Sequence, residues 1–424
     1  MKNKALIVDY WSDYNRGDAM MQVAILQLVD QWPSVVALDS GINEYKEFSK
    51  QLDESKAIGP IEFTPSPKLS LYFRKSGKLS NLANKLIMVA NVLVFHFIML
   101  MWKLRIKFLI PNGARKLLGE ISASEVIIWN GRNFRGNKKL FEFFEFFDLC
   151  TCAIASIYMK KKVYALGVSV WEPKSVAGSW LLRKIFSRCE RVYAREDVSL
   201  QLLEKNIMSG SKEKLKYLPD LSFFYMKKNI AEESDLRDSS IFTIGVVPKD
   251  PVKRNGISLD NYSKFVSNLA AEVAGSIGNG RKVRFKFINQ AVLENEPNDE
   301  AIELIGKKLS SLGEVIGPKS NPSLEDLSIA YRECDFVISS RMHGCILSSY
   351  LGRPFIGIPY DRGAKWGILE RLGDCVLLPM EEIEKKQHPT SQLIEKSLRY
   401  APRAEMDREA DEIVSIVNGI TGKD

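Results

Sequence analysis

Short apolar runs that end in a turn, each followed by a stretch with apolar residues three and four apart, recur along this chain. Lys4–Asp9, Val35–Leu38, Val126–Trp129, Lys162–Gly167 and Arg191–Ala194 read as buried strands before residue 226. Phe242–Val247, Lys282–Ile288, Glu314–Ile316, Asp335–Ser339 and Phe355–Ile358 repeat the pattern after residue 240. Helical spacing separates them, at Ala19–Val29, Leu140–Leu149, 179–188, 259–276, Ala301–Leu309, Leu324–Glu333 and Gly344–Leu351. Strand and helix in alternation demand parallel sheets covered by helices, so the fold class is α/β. The polar stretch 226–240 suits a linker. The expected organisation is a doubly wound, Rossmann-like domain over 1–225, a linker over 226–240, a second over 241–400 and a C-terminal helix over 401–424. Two such domains present the carboxyl ends of their strands to a central cleft, where ligands of open α/β sheets bind.

Composition closes off other classes. With 45% hydrophobic and 26% charged residues in 424, the chain has the makeup of a folded globular protein with ample core. The cysteines at 150, 152, 189, 334, 345 and 375 have no zinc spacing, and the histidines are only His96, His343 and His388, so no metal site is expected. The cysteines read as reduced thiols, and the apolar run at the N-terminus is too short for a signal peptide, so a cytoplasmic location is expected.

Charge is unevenly spread. No Asp or Glu occurs from Phe63 to Gly119, where Lys68, Arg74, Lys75, Lys78, Lys85, Lys103, Arg105, Lys107, Arg115 and Lys116 fall. The net charge of the whole chain is +8, so all its net basicity lies in this segment. Inside it, Leu86–Trp102 is apolar except for Asn91 and His96. This basic, apolar insertion (63–119) fits a buried hairpin, a short spanning helix or an in-plane helix docked on the anionic inner face of the cytoplasmic membrane. Nucleic acid is not an expected partner, because no recognition module accompanies the charge.

Three clusters carry chemistry. Ser339-Ser340-Arg341-Met342-His343-Gly344 leaves a buried strand and opens a helix. Arg341 can clamp a carboxylate or phosphate with paired hydrogen bonds, His343 can move a proton near neutral pH, and Gly344 permits close approach of a ligand or backbone. A hydrogen-bonded surface turn would be the plain alternative. Gly352-Arg353-Pro354 leads to Tyr360 and Lys365. Asn15-Arg16-Gly17-Asp18 follows the first strand and is neither a dinucleotide nor a P-loop signature; Asp18 caps the helix or holds a hydroxyl.

In this order and spacing the clusters resemble the polysaccharide pyruvyl transferase family. Its Asn-x-Gly-Asp pattern is matched by Asn15, Gly17 and Asp18. Its Asp-x-x-Ile-x-x-Arg-x-His-Gly signature, with the following Gly-x-Pro, Tyr and Lys, is matched by Asp335, Ile338, Arg341, His343, Gly344, Gly352, Pro354, Tyr360 and Lys365. Ala194-Arg195-Glu196-Asp197-Val198-Ser199 and Pro219-Asp220 fit two further pieces. The chain departs at Asn130-Gly131-Arg132, where the family often has three glycines. It departs again at Val247-Pro248-Lys249, where the family often has Ser-x-Arg, so the second cation is Lys249 or Arg254.

The resemblance implies a GT-B-like fold and transfer of pyruvate from phosphoenolpyruvate, as donor substrate and without a cofactor, to a glycan or lipid-linked glycan. It implies that Arg341 holds the donor's carboxylate or phosphate. His343 then serves as general acid or base or binds the leaving phosphate, and Lys249 and Lys365 add positive charge. Ser340, Gly344, Tyr360, Asn15, Gly17, Asp18, Asn130 and Gly131 complete the expected binding set. A glycosyltransferase of the same fold using a sugar nucleotide, and a glycan-binding or assembly protein without turnover, are the alternatives.

Overall fold

A computed structural model of the chain describes residues 4–10, 15–29, 34–39, 57–61, 77–130, 133–136, 141–230, 235–250, 257–292, 298–360, 364–380 and 390–422. The expected site residues Gly131 and Arg254 lie outside these. The chain divides into two compact units. The first comprises 1–13, 25–219 and 415–424; the second comprises 14–24 and 220–414.

The first unit is built on a parallel sheet with strands β1 (Ala5–Tyr10), β2 (Ser34–Asp39), β3 (Ala57–Ile61), β4 (Val126–Asn130), β5 (Asn133–Phe134), β6 (Lys162–Val170), β7 (Arg191–Ala194) and β8 (Leu215–Tyr217). Its order is β3-β2-β1-β4-β6-β7-β8, with β5 added to β6. Every residue of β4 is buried, as expected of a strand covered on both faces. Helices Asn112–Ala123, Glu142–Tyr158 and Val176–Phe186 contribute Leu117, Phe146 and Leu182 to the core that packs on Trp129 and Val163. Of the Phe-rich run, Phe146 and Phe147 are core and Phe143 packs against it, on a helix longer than its sequence pattern indicates. β3 contains Gly59-Pro60, which obscures it in the sequence; Pro is tolerated there because β3 is an edge strand.

Within the basic, apolar segment lies helix α2 (Gly77–Lys103), which follows α1 (Arg16–Leu28) among the described helices. Phe95, Ile98 and Met101 on one face are sealed into the first unit's core. Among the described residues no helix is long and apolar enough to cross a membrane.

The second unit carries β9 (Ile241–Val247), β10 (Lys282–Phe287), β11 (Glu314–Ile316), β12 (Phe336–Ser339) and β13 (Phe355–Gly357). All pairs are parallel and the order is β11-β10-β9-β12-β13. The chain starts in the middle and winds outward both ways, so the topological switch point lies between β9 and β12, where Val247 pairs with Ser339. Helices begin with good caps: Ser258 accepts from Asn261 N, and Ser323 forms a capping box with Asp326. Phe242, Ile244, Phe285, Tyr262 and Ile305 fill the core beneath.

Candidate active site

The site grows from the switch point of the second unit. Ser339 is the last residue of β12, and Met342–Tyr350 (α3 in this description) opens two residues sooner than the sequence pattern places it. Ser339 Oγ donates to Arg341 O at 2.8 Å and accepts from Arg341 N at 3.1 Å, folding the link into a tight turn. Arg341 stands at the N-cap of α3, and its side chain does not cap the helix. Its guanidinium donates to Asn298 Oδ1 at 3.2 Å, and Asn298 in turn donates towards Ala291 O. Arg341 and His343 are buried, at 7% and 8% exposure, which is unusual for ionisable groups without a task.

The Asn15–Asp18 segment belongs to this same unit. Asn15 bridges to Ala291 and Arg16 N donates to Gln290 O at 3.0 Å, which pins the start of α1 beside the loop after β10. Asn15 Oδ1 accepts from Gly17 N at 3.2 Å, and Asn15 Nδ2 donates to Asp18 Oδ2 at 2.9 Å. The capping expected of Asp18 thus falls to Asn15: the helix starts at Arg16, which places Asp18 inside its first turn. The reason for the glycine is steric. A Cβ on Gly17 would stand 2.6 Å from His343 Cβ, and nearer still to the imidazole Cγ and Nδ1. The His343 ring occupies the space that a side chain at 17 would fill.

On its other side, His343 Nε2 is 3.8 Å from Asp220 Oδ1. Asp220 is wholly buried and caps the helix Leu221–Asn229 by accepting from Ser222 N at 3.0 Å. At that distance the two are not hydrogen-bonded, but a buried carboxylate facing the ring is placed to balance the charge of an imidazolium. Pro219-Asp220 fits a family pattern in the sequence, but the role of Asp220 is not legible there, since a partner 123 residues away in the chain leaves no local trace. Asn298 was missed for the same reason.

The cations converge on a tyrosine. Lys249, only 4% exposed beyond the end of β9, places Nζ 3.9 Å from the Tyr360 ring centroid. Lys365 Nζ is 4.2 Å from the same centroid and hydrogen-bonds the Tyr360 hydroxyl. Lys249 N donates to Tyr262 OH at 3.2 Å, and that hydroxyl shares a 2.8 Å hydrogen bond with Ser340 Oγ. Burial pushes the Tyr262 phenol up, so it stays a neutral link between the ends of β9 and β12. Gly344 plays a packing part: a Cβ there would meet Ser339 Oγ, the Tyr331 hydroxyl and Gln290 Oε1, the last two at 2.7 and 2.9 Å. Gln290 is 2% exposed, and among the described residues neither end of its amide has a hydrogen-bond partner.

The second unit therefore gathers Asn15, Gly17, Asp18, Lys249, Ser340, Arg341, His343, Gly344, Tyr360 and Lys365. Asn130 belongs to the first unit, buried at the end of β4. There too, Arg195 donates to Ser169 Oγ at 2.7 Å and to Asn133 Oδ1 at 2.8 Å, while Ser199 Oγ accepts from Val170 N at 2.9 Å. The Ala194–Ser199 piece thus ties β7 to the strands beside it. Among the described residues no group of His, Cys, Asp and Glu could hold a metal ion.

Solved structures of similar architecture include a UDP complex of S. aureus MnaA (11% identity, 99% of this chain and 97% of that chain, TM-score 0.54). UDP-GlcNAc 2-epimerases from Methanocaldococcus jannaschii (11%, 98% and 99%, TM-score 0.54) and Neisseria meningitidis (12%, 98% and 100%, TM-score 0.51) are also similar. At such identities the likeness is one of fold: α/β, with two parallel sheets, as in the GT-B-like enzymes. No curated protein matches the chain by sequence. The family model for polysaccharide pyruvyl transferase matches residues 15–362, from the Asn15 loop to just beyond Tyr360. That match covers most of the chain, which belongs to the polysaccharide pyruvyl transferase family, and the family implies an enzyme with a polysaccharide substrate.

Proposed function

We propose that this protein transfers a pyruvyl group from phosphoenolpyruvate to one sugar of a polysaccharide or its lipid-linked precursor, forming a pyruvate ketal. The observation that carries the reading is the buried pair Arg341 and His343 at the switch point of the second sheet, with Lys249 and Lys365 close to Tyr360 in the same unit.

The donor is a small polyanion, and these residues are the kind that hold one. Arg341 presents a planar fork to a carboxylate or phosphate. The amino end of α3 adds a favourable field for an anion. Lys249 and Lys365 neutralise charge that moves onto the leaving phosphate. The wholly buried strand β12, apolar up to Ser339, keeps water from beneath them.

The reaction balances without an oxidant. A proton adds to C3 of the enol, making a methyl group and an electrophilic C2. One sugar hydroxyl adds to C2, the C2–O bond to phosphate breaks, and a second hydroxyl of the same sugar closes the ketal. The two hydroxyl protons lost equal the one gained by C3 and the one carried off with phosphate. His343, held between Gly17 and Asp220, is the group that gives or takes a proton.

A thermal-shift titration with phosphoenolpyruvate, UDP-sugars and GDP-sugars tests the donor. A ligand that binds only the folded state raises the midpoint by mass action. The reading expects a rise with phosphoenolpyruvate that is lost in Arg341→Ala. A rise with a sugar nucleotide alone would replace it with glycosyl transfer.

A further inference from the structure

One face of α2 packs into the first unit; the other is apolar and open. Leu86, Val89, Leu93, Phe97, Leu100 and Leu104 are all exposed, Leu93 by 67%. Their spacing of three and four residues places them on a single stripe of the helix. The stripe continues past the helix end to Phe108, 80% exposed. Beside it a cavity of about 250 Å³ opens between α2 and its neighbours, lined by Val92, Phe143, Phe147 and Ile157. Exposed Trp180 and Tyr158 stand in its wall, with Lys184 and Arg188 at the same opening. A contiguous apolar patch of this kind marks an interaction surface.

We propose that this face docks, in the plane of the membrane, on an anionic lipid bilayer. Charge selects the occupant. Exposed Lys103, Arg105 and Lys107 follow at the carboxyl end of the stripe, Arg115 and Lys116 are exposed on the next helix, and no acidic residue occurs from Phe63 to Gly119. A second copy seated on the stripe would bring two such basic segments together without a counter-charge, whereas phosphate headgroups neutralise them. Trp and Tyr at the edge of an apolar patch match the headgroup boundary, where their rings have one dry and one wet end. Spanning is disfavoured because Phe95, Ile98 and Met101 are part of the folded core, and drawing α2 into lipid would strip that core bare. The surface is independent of the donor chemistry at Arg341 and His343.

The test is vesicle flotation of the full chain. Vesicles of phosphatidylcholine alone are compared with vesicles containing phosphatidylglycerol, with sedimentation velocity run alongside. The expected result is binding to the anionic vesicles that weakens with salt. Leu93→Glu with Phe97→Glu should reduce it about tenfold or more, since two apolar contacts are lost and two acids meet an anionic surface. Lys103→Gln with Lys107→Gln should reduce it about tenfold while leaving the apolar stripe intact. All four positions are exposed, Lys107 with its Nζ 4.7 Å from the Trp102 ring centroid, and unchanged thermal midpoints would show that folding is kept. Failure to float with anionic vesicles, flotation indifferent to both variants, or a dimer that Leu93→Glu with Phe97→Glu dissociates would each overturn the proposal.

Discussion

Gly17→Ala puts one methyl group where the His343 ring lies. The added Cβ would stand 2.6 Å from His343 Cβ and closer to Cγ and Nδ1. Carbon contacts settle at about 3.5–4.0 Å, so either the imidazole or the Asn15–Asp18 turn must move by about 1 Å. The turn has little freedom, being fastened by Arg16 N to Gln290 O and by Asn15 to Asp18. The ring therefore takes most of the shift and leaves its place opposite Asp220. Overpacking of this size costs about 1–3 kcal/mol of stability, and misplacing a catalytic group by 1 Å costs about 100-fold in rate. The assay is phosphoenolpyruvate-dependent phosphate release with acceptor, read with the unfolding midpoint. His343→Gly should abolish the stability loss caused by Gly17→Ala, because it removes both the ring and the Cβ that the new methyl group would meet; His343→Ala keeps that Cβ and should relieve only part of the loss. Activity within twofold of the parent, or a stability loss that persists in full in the His343→Gly background, would refute the packing of His343 on Gly17.

Other predictions follow from the same contacts. Gly119 lies in the helix Asn112–Ala123 with nothing within 4 Å of an added Cβ, so Gly119→Ala should raise stability by about 0.5–1 kcal/mol and leave turnover alone, as denaturant midpoints would show. Asp220→Asn keeps an acceptor for Ser222 N and removes the charge facing His343. The turnover number should fall about 10- to 100-fold with little change in unfolding midpoint, and its pH profile should move. Lys319 beside Asp326, together with the Ser323 amide, holds the Asp326 carboxyl below its ordinary range. Its contribution is therefore complete above the ordinary carboxylate range and fades as pH falls through the lowered value, so Asp326→Asn should lose stability at neutral pH and show a shallower acid decline in thermal scans.

The alternation of strand and helix was legible because strands of a parallel sheet are covered on both faces and therefore read as unbroken apolar runs. β12 and β9 are cases of this. β3 was hidden by Gly59-Pro60, and β5 and β8 by their shortness, since a pair such as Asn133-Phe134 carries no periodicity. Arg341 and His343 could be found because polar residues at the end of a buried run stand out. Asp220, Asn298 and Gln290 could not, because each owes its place to the way distant loops meet. The capping role moved from Asp18 to Asn15 because the helix begins earlier than its apolar spacing suggests. An apolar run such as Leu86–Trp102 says that a helix is dry on many sides, and only packing divides it into a face sealed by the core and a face left open.

If the site around Arg341 and His343 moves pyruvate, as proposed, carbon and phosphate must travel together: phosphoenolpyruvate labelled at C2 is incubated with the protein and a polysaccharide acceptor. The expected result is label at a ketal carbon on the glycan, one phosphate released for each label transferred, and neither event in His343→Ala. Phosphate released without label on the glycan, or undiminished transfer by His343→Ala, would contradict it.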